Sequence, residues 1–228
     1  ALRAAGVHVT ENILEQECLA LNKKFFISNA LHRPYIIIKW AESKDGYLGK
    51  ENERIKLSNA DTDKLVHTWR STEDAIWVGY RTALVDNPKL NVRHVEGKNP
   101  LRIVYDRNLS LPSSLSLLDG TQSTILYNTL LSEENGLLRT VKIHDDNYIQ
   151  EILDDLYKQP IQSVLIEGGK ALLQKIIDQS LWDEARVITT PVILGEGIAS
   201  PILANAIKQM SFDNLQDTIT FYTPSSVS

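Results

Sequence analysis

The chain has 228 residues, of which 43% are hydrophobic and 23% charged; this suits one large α/β domain or one domain with an appendage, and excludes a wholly disordered polypeptide. A formal net charge of −5 opposes binding to nucleic acid and to anionic membranes, so a nucleotide-like ligand needs local cationic groups. The single cysteine, Cys18, excludes an internal disulfide and a multi-thiolate zinc site, and the apolar runs are far too short to cross a bilayer. A reducing cytoplasm is therefore the expected location.

No basic-then-apolar signal opens the chain, and Ala1 stands where an initiator Met would be expected, which points to a piece of a longer polypeptide. Residues 7–10 are β-prone and suggest a short strand. Residues 11–26 carry Ile13, Leu14, Cys18, Leu21 and Phe25 at near-helical spacing. After Pro34 an alternation sets in. Residues 34–41, 75–79, 101–105, 123–127, 163–166, 186–193 and 218–223 read as strands, near-continuously apolar in the main. Residues 61–71 and 148–158, and the segment with Leu172, Leu173, Ile176 and Ile177, read as amphipathic helices. This pattern predicts an α/β fold with a mostly parallel central sheet, helices on both faces and an antiparallel edge formed by the late strands. Residues 110–120 are expected to form a loop.

Lys39 interrupts an apolar strand. A buried lysine is costly unless it is paired or reaches a ligand; otherwise it snorkels from the strand end. Glu167-Gly168-Gly169 ends a strand and opens a helix, where backbone and carboxylate can meet a ligand, although a plain turn has the same composition. Asp86-Asn87-Pro88 reads as a turn in a surface loop, with Arg93 able to clamp a phosphate. Gly195-Glu196-Gly197 is a tight loop rather than a dinucleotide fingerprint. The five histidines share no metal-ligand spacing and read as surface or structural residues, so no metal is expected. Hydrolase and kinase motifs are absent.

The order of these features carries more than any one of them. The string from Arg33-Pro34 through Lys39, Ala41 and Ser43 to Asp45-Gly46 resembles the opening of the riboflavin-biosynthesis reductase domain. Asp74-Ala75-Ile76-Trp77-Val78-Gly79, Thr82, Asp86-Asn87-Pro88, Leu90 and Arg93 resemble its second block, Pro100 to Asp106 its third, and Val164 to Gly169 its glutamate-glycine-glycine strand end. The resemblance implies a dihydrofolate-reductase-like fold, a homodimer, and NADPH-dependent reduction of 5-amino-6-(5-phosphoribosylamino)uracil, a small-molecule substrate. It implies cofactor contacts at Ala41, Thr82, Asp86, Arg107, Gly168, Gly169, Lys170, Ala171 and Leu172. It implies substrate contacts at Arg70, Leu90, Arg93 and Glu167, with Lys39 and Glu167 as the catalytic pair. Residues 1–32 resemble the tail of a preceding deaminase domain, leaving 33–228 as the reductase. Two positions depart from the family pattern: Lys56 stands for a cofactor-stacking Trp and Arg54 for a substrate-contacting Ser. They motivate the alternative of a non-catalytic binding domain, beside a related pteridine or folate-type reductase.

Overall fold

A computed structural model describes residues 1–51, 53 and 55–225. Twelve strands and six α-helices form among them. In chain order these are α1 (Glu15–Leu21), α2 (Lys23–Leu31), β1 (Tyr35–Glu42), β2 (Tyr47–Gly49), α3 (Ala60–Thr72), β3 (Ala75–Val78), α4 (Tyr80–Asp86), β4 (Leu101–Tyr105), β5 (Thr124–Asn128), β6 (Glu133–Asn135), β7 (Leu138–Lys142), α5 (Tyr148–Tyr157), β8 (Ser163–Glu167), α6 (Lys170–Asp178), β9 (Glu184–Thr189), β10 (Ile198–Ala199), β11 (Ala206–Asn214) and β12 (Asp217–Pro224).

Ten strands make one sheet in the order β11-β12-β9-β1-β8-β3-β4-β5-β7-β6, while β2 and β10 pair separately. Pairing is parallel from β9 across to β7. The β11–β12 hairpin supplies the expected antiparallel edge against β9. A second antiparallel strand, β6, closes the opposite edge on β7, which the sequence pattern does not announce because Glu133–Asn135 is exposed throughout.

Alternation along β1 sorts the core into two faces. Ile36, Ile38 and Trp40 pack with the stripes of α5 and α6, including Ile152, Leu156, Leu173 and Ile176. Tyr35 and Ile37 join Val66 and Trp69 of α3 on the other face. Ala83 of α4 shares that second face with Val78, Val104 and Leu117. The central strands are thus covered on both sides, which is why they carry no polar alternation. Burial of a Leu or Ile side chain contributes about 1.5–3 kcal/mol, so these stripes hold the helices on the sheet.

Three local expectations are corrected. Residues 7–10 form no strand. The segment after β3 is helical as far as Asp86 instead of a surface loop, and the turn begins only at Asn87, whose φ is +42°. Residues 110–120 form a loop as expected, and it is packed: Leu111, Leu115 and Leu117 are buried, with a 3-10 turn at Ser116–Leu118. The helix expected over 11–26 breaks at Asn22, and Ile13, Leu14, Leu21 and Phe25 face outward. Instead α2 is fastened by its lysines: Lys23 pairs with Glu184, and Lys24 lies 2.6 Å from Glu73.

Two motif residues prove to be scaffolding. Arg102 is fully buried and donates to Thr124 Oγ1 and to the carbonyls of Ser116 and Gln122. Asp106 accepts from the Leu111 amide at 2.7 Å. Together they fold the 106–122 segment onto the sheet. No helix among the described residues is long and apolar enough to cross a membrane.

Candidate active site at the carboxyl ends of β1 and β8

Parallel pairing of β1 with β8 places Lys39 opposite Glu167. Both point to the face covered by α3. The N-terminus of α3 is capped by Asn59, whose side chain accepts from the amides of Asp61 and Thr62 at 2.9 Å. Asn59 is itself tied to the β11–β12 hairpin through Asp217 and Asn214. So anchored, α3 turns Asp63, His67 and Arg70 along one face, at spacings of four and three residues.

Arg70 forks onto Glu167, with Nε to Oε1 at 2.8 Å and Nη2 to Oε2 at 2.7 Å. Lys39 Nζ stands 4.0 Å from Oε2. The three side chains are only 10–13% exposed. Burial by itself would raise the Glu167 pKa, but Arg70, then Lys39, outweigh it and hold the carboxyl at about 2. For Lys39 burial wins: it lowers the pKa below the usual lysine value, with Glu167 opposing this and Arg70 adding to it. The site therefore holds a firmly ionised carboxylate beside an ammonium that gives up its proton more readily than a surface lysine.

Next to this cluster, β8 runs into Gly168 and Gly169, with φ of +79° and +77°. A Cβ on Gly169 would lie 3.0 Å from Thr82 Oγ1, and one on Gly168 would lie 3.3 Å from Thr82 Cγ2. Glycine is needed there for both the left-handed backbone and the close approach of Thr82. Immediately after, α6 starts at Lys170 with no side-chain cap among the described residues, so its first amides remain available to an anion. This glycine cradle and open helix start fit a dinucleotide phosphate, with Thr82 of α4 lining it.

The remaining expected residues take separate places. Ala41 follows Lys39 on the same strand face, half-buried. Leu90 is buried at φ +51°. Arg93 is exposed, but its amide donates to His67 Nδ1 at 3.2 Å, which ties its loop to α3. Asp86 ends α4 beside the turn at Asn87. Lys170 and Ala171 are exposed on the first turn of α6, whereas Leu172 is buried in the core. Arg107 stands apart, beyond the end of β4 and 3.1 Å from Asp145. Lys56 is exposed and pairs with Asp63 at 2.5 Å; Arg54 lies outside the described residues. Among the described residues no cluster of His, Cys, Asp and Glu could hold a metal.

Sequence reasoning missed His67, which was grouped with the surface or structural histidines. It is 4% exposed and its pKa is held at about 4, by burial first and then by Arg70 and Arg93. The available signal was its position three residues before Arg70 on an amphipathic helix.

Residues 34–220 match the family described as RibD C-terminal domain. A riboflavin biosynthesis protein RibD of Aquifex aeolicus is 32% identical over 87% of this chain and 58% of its own length. A 2,5-diamino-6-ribosylamino-4(3H)-pyrimidinone 5′-phosphate reductase of the same organism is 30% identical, over 72% of this chain and 80% of its own. The chain thus spans less than two thirds of the RibD relative. The solved deaminase/reductase of Thermotoga maritima superposes with a TM-score of 0.88 at 24% identity, covering 97% of this chain and 65% of that one. A dihydrofolate reductase of Enterococcus faecalis, solved with NADP(H), gives 0.54 at 14% identity over 83% and 95% of the two chains. The architecture is therefore dihydrofolate-reductase-like, and the chain belongs to the RibD C-terminal domain family.

Proposed function

We propose that this chain is an NADPH-dependent reductase acting on 5-amino-6-(5-phosphoribosylamino)uracil, converting its ribosyl group to ribityl. The observation that carries the reading is the Lys39–Glu167–Arg70 cluster, set beside the glycine turn that opens α6. NADPH, when bound, supplies the hydride. The residues that would hold it are Ala41, Thr82, Asp86 and the stretch from Gly168 to Leu172, with the α6 amides facing its phosphates.

Arg70, Arg93 and Leu90 bind and orient the phosphorylated pyrimidine, and Glu167 stays ionised to keep Arg70 aimed. Lys39 is the group that passes a proton to the sugar as its ring opens at C1′ and the carbon is reduced, a role suited to its lowered pKa. Burial of all three side chains limits water around that carbon. Arg107 lies exposed at the end of β4, where it can leave Asp145 for the 2′-phosphate that separates NADPH from NADH.

Residues 1–32 belong, on this reading, to the tail of a preceding deaminase domain and 33–228 to the reductase; the outward stripe of Ile13, Leu14 and Leu21 supports that division. The open edge of β11, with Ile207 and Met210 about half exposed, supports a homodimer formed there. A cytoplasmic location completes the proposal. Loss of reduced-nicotinamide absorbance on mixing protein, NADPH and substrate tests it. Oxidation that depends on the deaminated pyrimidine supports the reading, and oxidation only with the diamino form would change the substrate. NADPH binding without oxidation would place the chemistry elsewhere, and no NADPH binding would favour a non-catalytic domain.

A further inference from the structure

His67 is a buried histidine that the proposed reaction leaves unused. It lies on α3 one turn before Arg70 and faces the loop that carries Leu90 and Arg93. Its Nδ1 accepts the Arg93 amide proton at 3.2 Å, which places the ring proton on Nε2. The His94 ring packs edge-on against it, with centroids 4.6 Å apart. The same loop meets α3 again at Gly97, where a Cβ would lie 2.4 Å from Ser71 Cβ.

That loop departs from ordinary backbone conformation. Asn87 and Leu90 both have positive φ, at +42° and +51°, and a leucine rarely adopts that region. Such a path persists only where its surroundings fix it. Around the loop, Asn87 Oδ1 accepts the Ser116 amide, Gln122 reaches the Leu90 carbonyl, and Asn99 Oδ1 accepts the Val92 amide. Of these hydrogen bonds, the one to His67 joins the loop to the helix that carries Arg70. The charged groups facing His67 are Arg70, Arg93 and Glu167, with His94 beside them. A neutral ring suits two arginine neighbours, whereas an imidazolium would repel both and lose its acceptor.

We propose that His67 is a positioning residue for substrate binding: as a neutral acceptor it fastens the 90–93 loop to α3 and so fixes Arg93 in register with Arg70. The proposal rests on the reading that Arg70 and Arg93 hold the phosphorylated pyrimidine. It is tested with the whole chain and two variants. His67→Leu removes the acceptor, and His67→Asn restores an oxygen close to the Nδ1 position. For His67→Leu we expect KM for the pyrimidine to rise about five-fold, the equivalent of one lost hydrogen bond, with kcat and KM for NADPH little changed. His67→Asn is expected to recover most of that loss. In parallel, the Arg93 amide should exchange its hydrogen faster in His67→Leu and return towards wild type in His67→Asn. An unchanged pyrimidine KM in His67→Leu, or no recovery in His67→Asn, would overturn the proposal. An equal loss in kcat and NADPH affinity would also overturn it, because it would show general damage to the fold. If the wild-type chain reduces no pyrimidine, the functional reading fails by itself, and the exchange rates still decide whether His67 holds the loop.

Discussion

Replacing Glu167 with Gln keeps the side-chain shape and removes its charge. In the native site Arg70 donates two hydrogen bonds to that carboxylate and Lys39 lies 4.0 Å away, all three groups being largely buried. The variant leaves two cations facing each other, and the amide NH2 turns a donor towards one of them. Breaking a buried ion pair by removing one partner typically costs about 3–5 kcal/mol. Lys39, already depressed, can relieve part of that by losing its proton. A net loss near the lower end, about 3 kcal/mol, is expected, which for a chain of this size lowers Tm by about 6–12 °C. Chemical denaturation with thermal melting measures the stability, and NADPH oxidation measures the activity, which should fall through both kcat and pyrimidine KM. A variant that melts within a degree of wild type and turns over fully would refute the reasoning that this carboxylate anchors the site.

The other predictions concern pH, the cradle and the cofactor. The folded pKa values of His67 and Glu167 both lie below their ordinary values of 6.5 and 4.5, so the unfolded chain binds more protons and stability rises with pH. The stability that these two groups control is fully present above pH 6.5, with a loss from 6.5 to about 4 through His67 and from 4.5 to about 2 through Glu167; urea titrations that show a flat profile across pH 7 to 4 would contradict this. Gly169→Ala forces a Cβ to 3.0 Å from Thr82 Oγ1 at φ +77°, so it should cost about 1–2 kcal/mol of stability and weaken NADPH binding measured by fluorescence titration. Arg107→Ala should weaken NADPH about ten-fold and leave NADH unchanged, a loss typical of a charge-assisted hydrogen bond, and equal effects on both cofactors would remove Arg107 from the 2′-phosphate. Lys39→Met should retain NADPH binding and lose turnover; retained turnover would exclude a proton role for Lys39.

The parts of the fold legible in sequence were those with one strong signal. Ala75–Val78 is a short apolar run, Leu101–Tyr105 is one interrupted by Arg102, and α5 and α6 carry apolar stripes that the structure buries. By contrast, α4 buries only Ala83, so nothing in Tyr80–Asp86 marks a helical period. The nine residues of β11 are exposed nearly throughout, and among the described residues the strand is the outermost of its sheet. The stripe from Ile13 to Phe25 has helical spacing, but its apolar side chains meet no core. Within the site, Lys39 stood out as a charge inside an apolar strand. Its partner could not be read the same way, since only the β1–β8 register brings Glu167 beside it. For His67 the signal was its place three residues before Arg70; its role comes from the Arg93 amide, delivered by a loop that passes through two positive-φ residues.

The most direct test of the central claim follows the hydrogen itself. NADPH deuterated at the reactive nicotinamide carbon is incubated with the chain and the deaminated phosphoribosylamino-pyrimidine, and the product is analysed by mass spectrometry and NMR. One deuterium is expected at C1′ of a ribityl product, formed by the wild-type chain and lost in Lys39→Met. Unlabelled product, or label at another carbon, would contradict it.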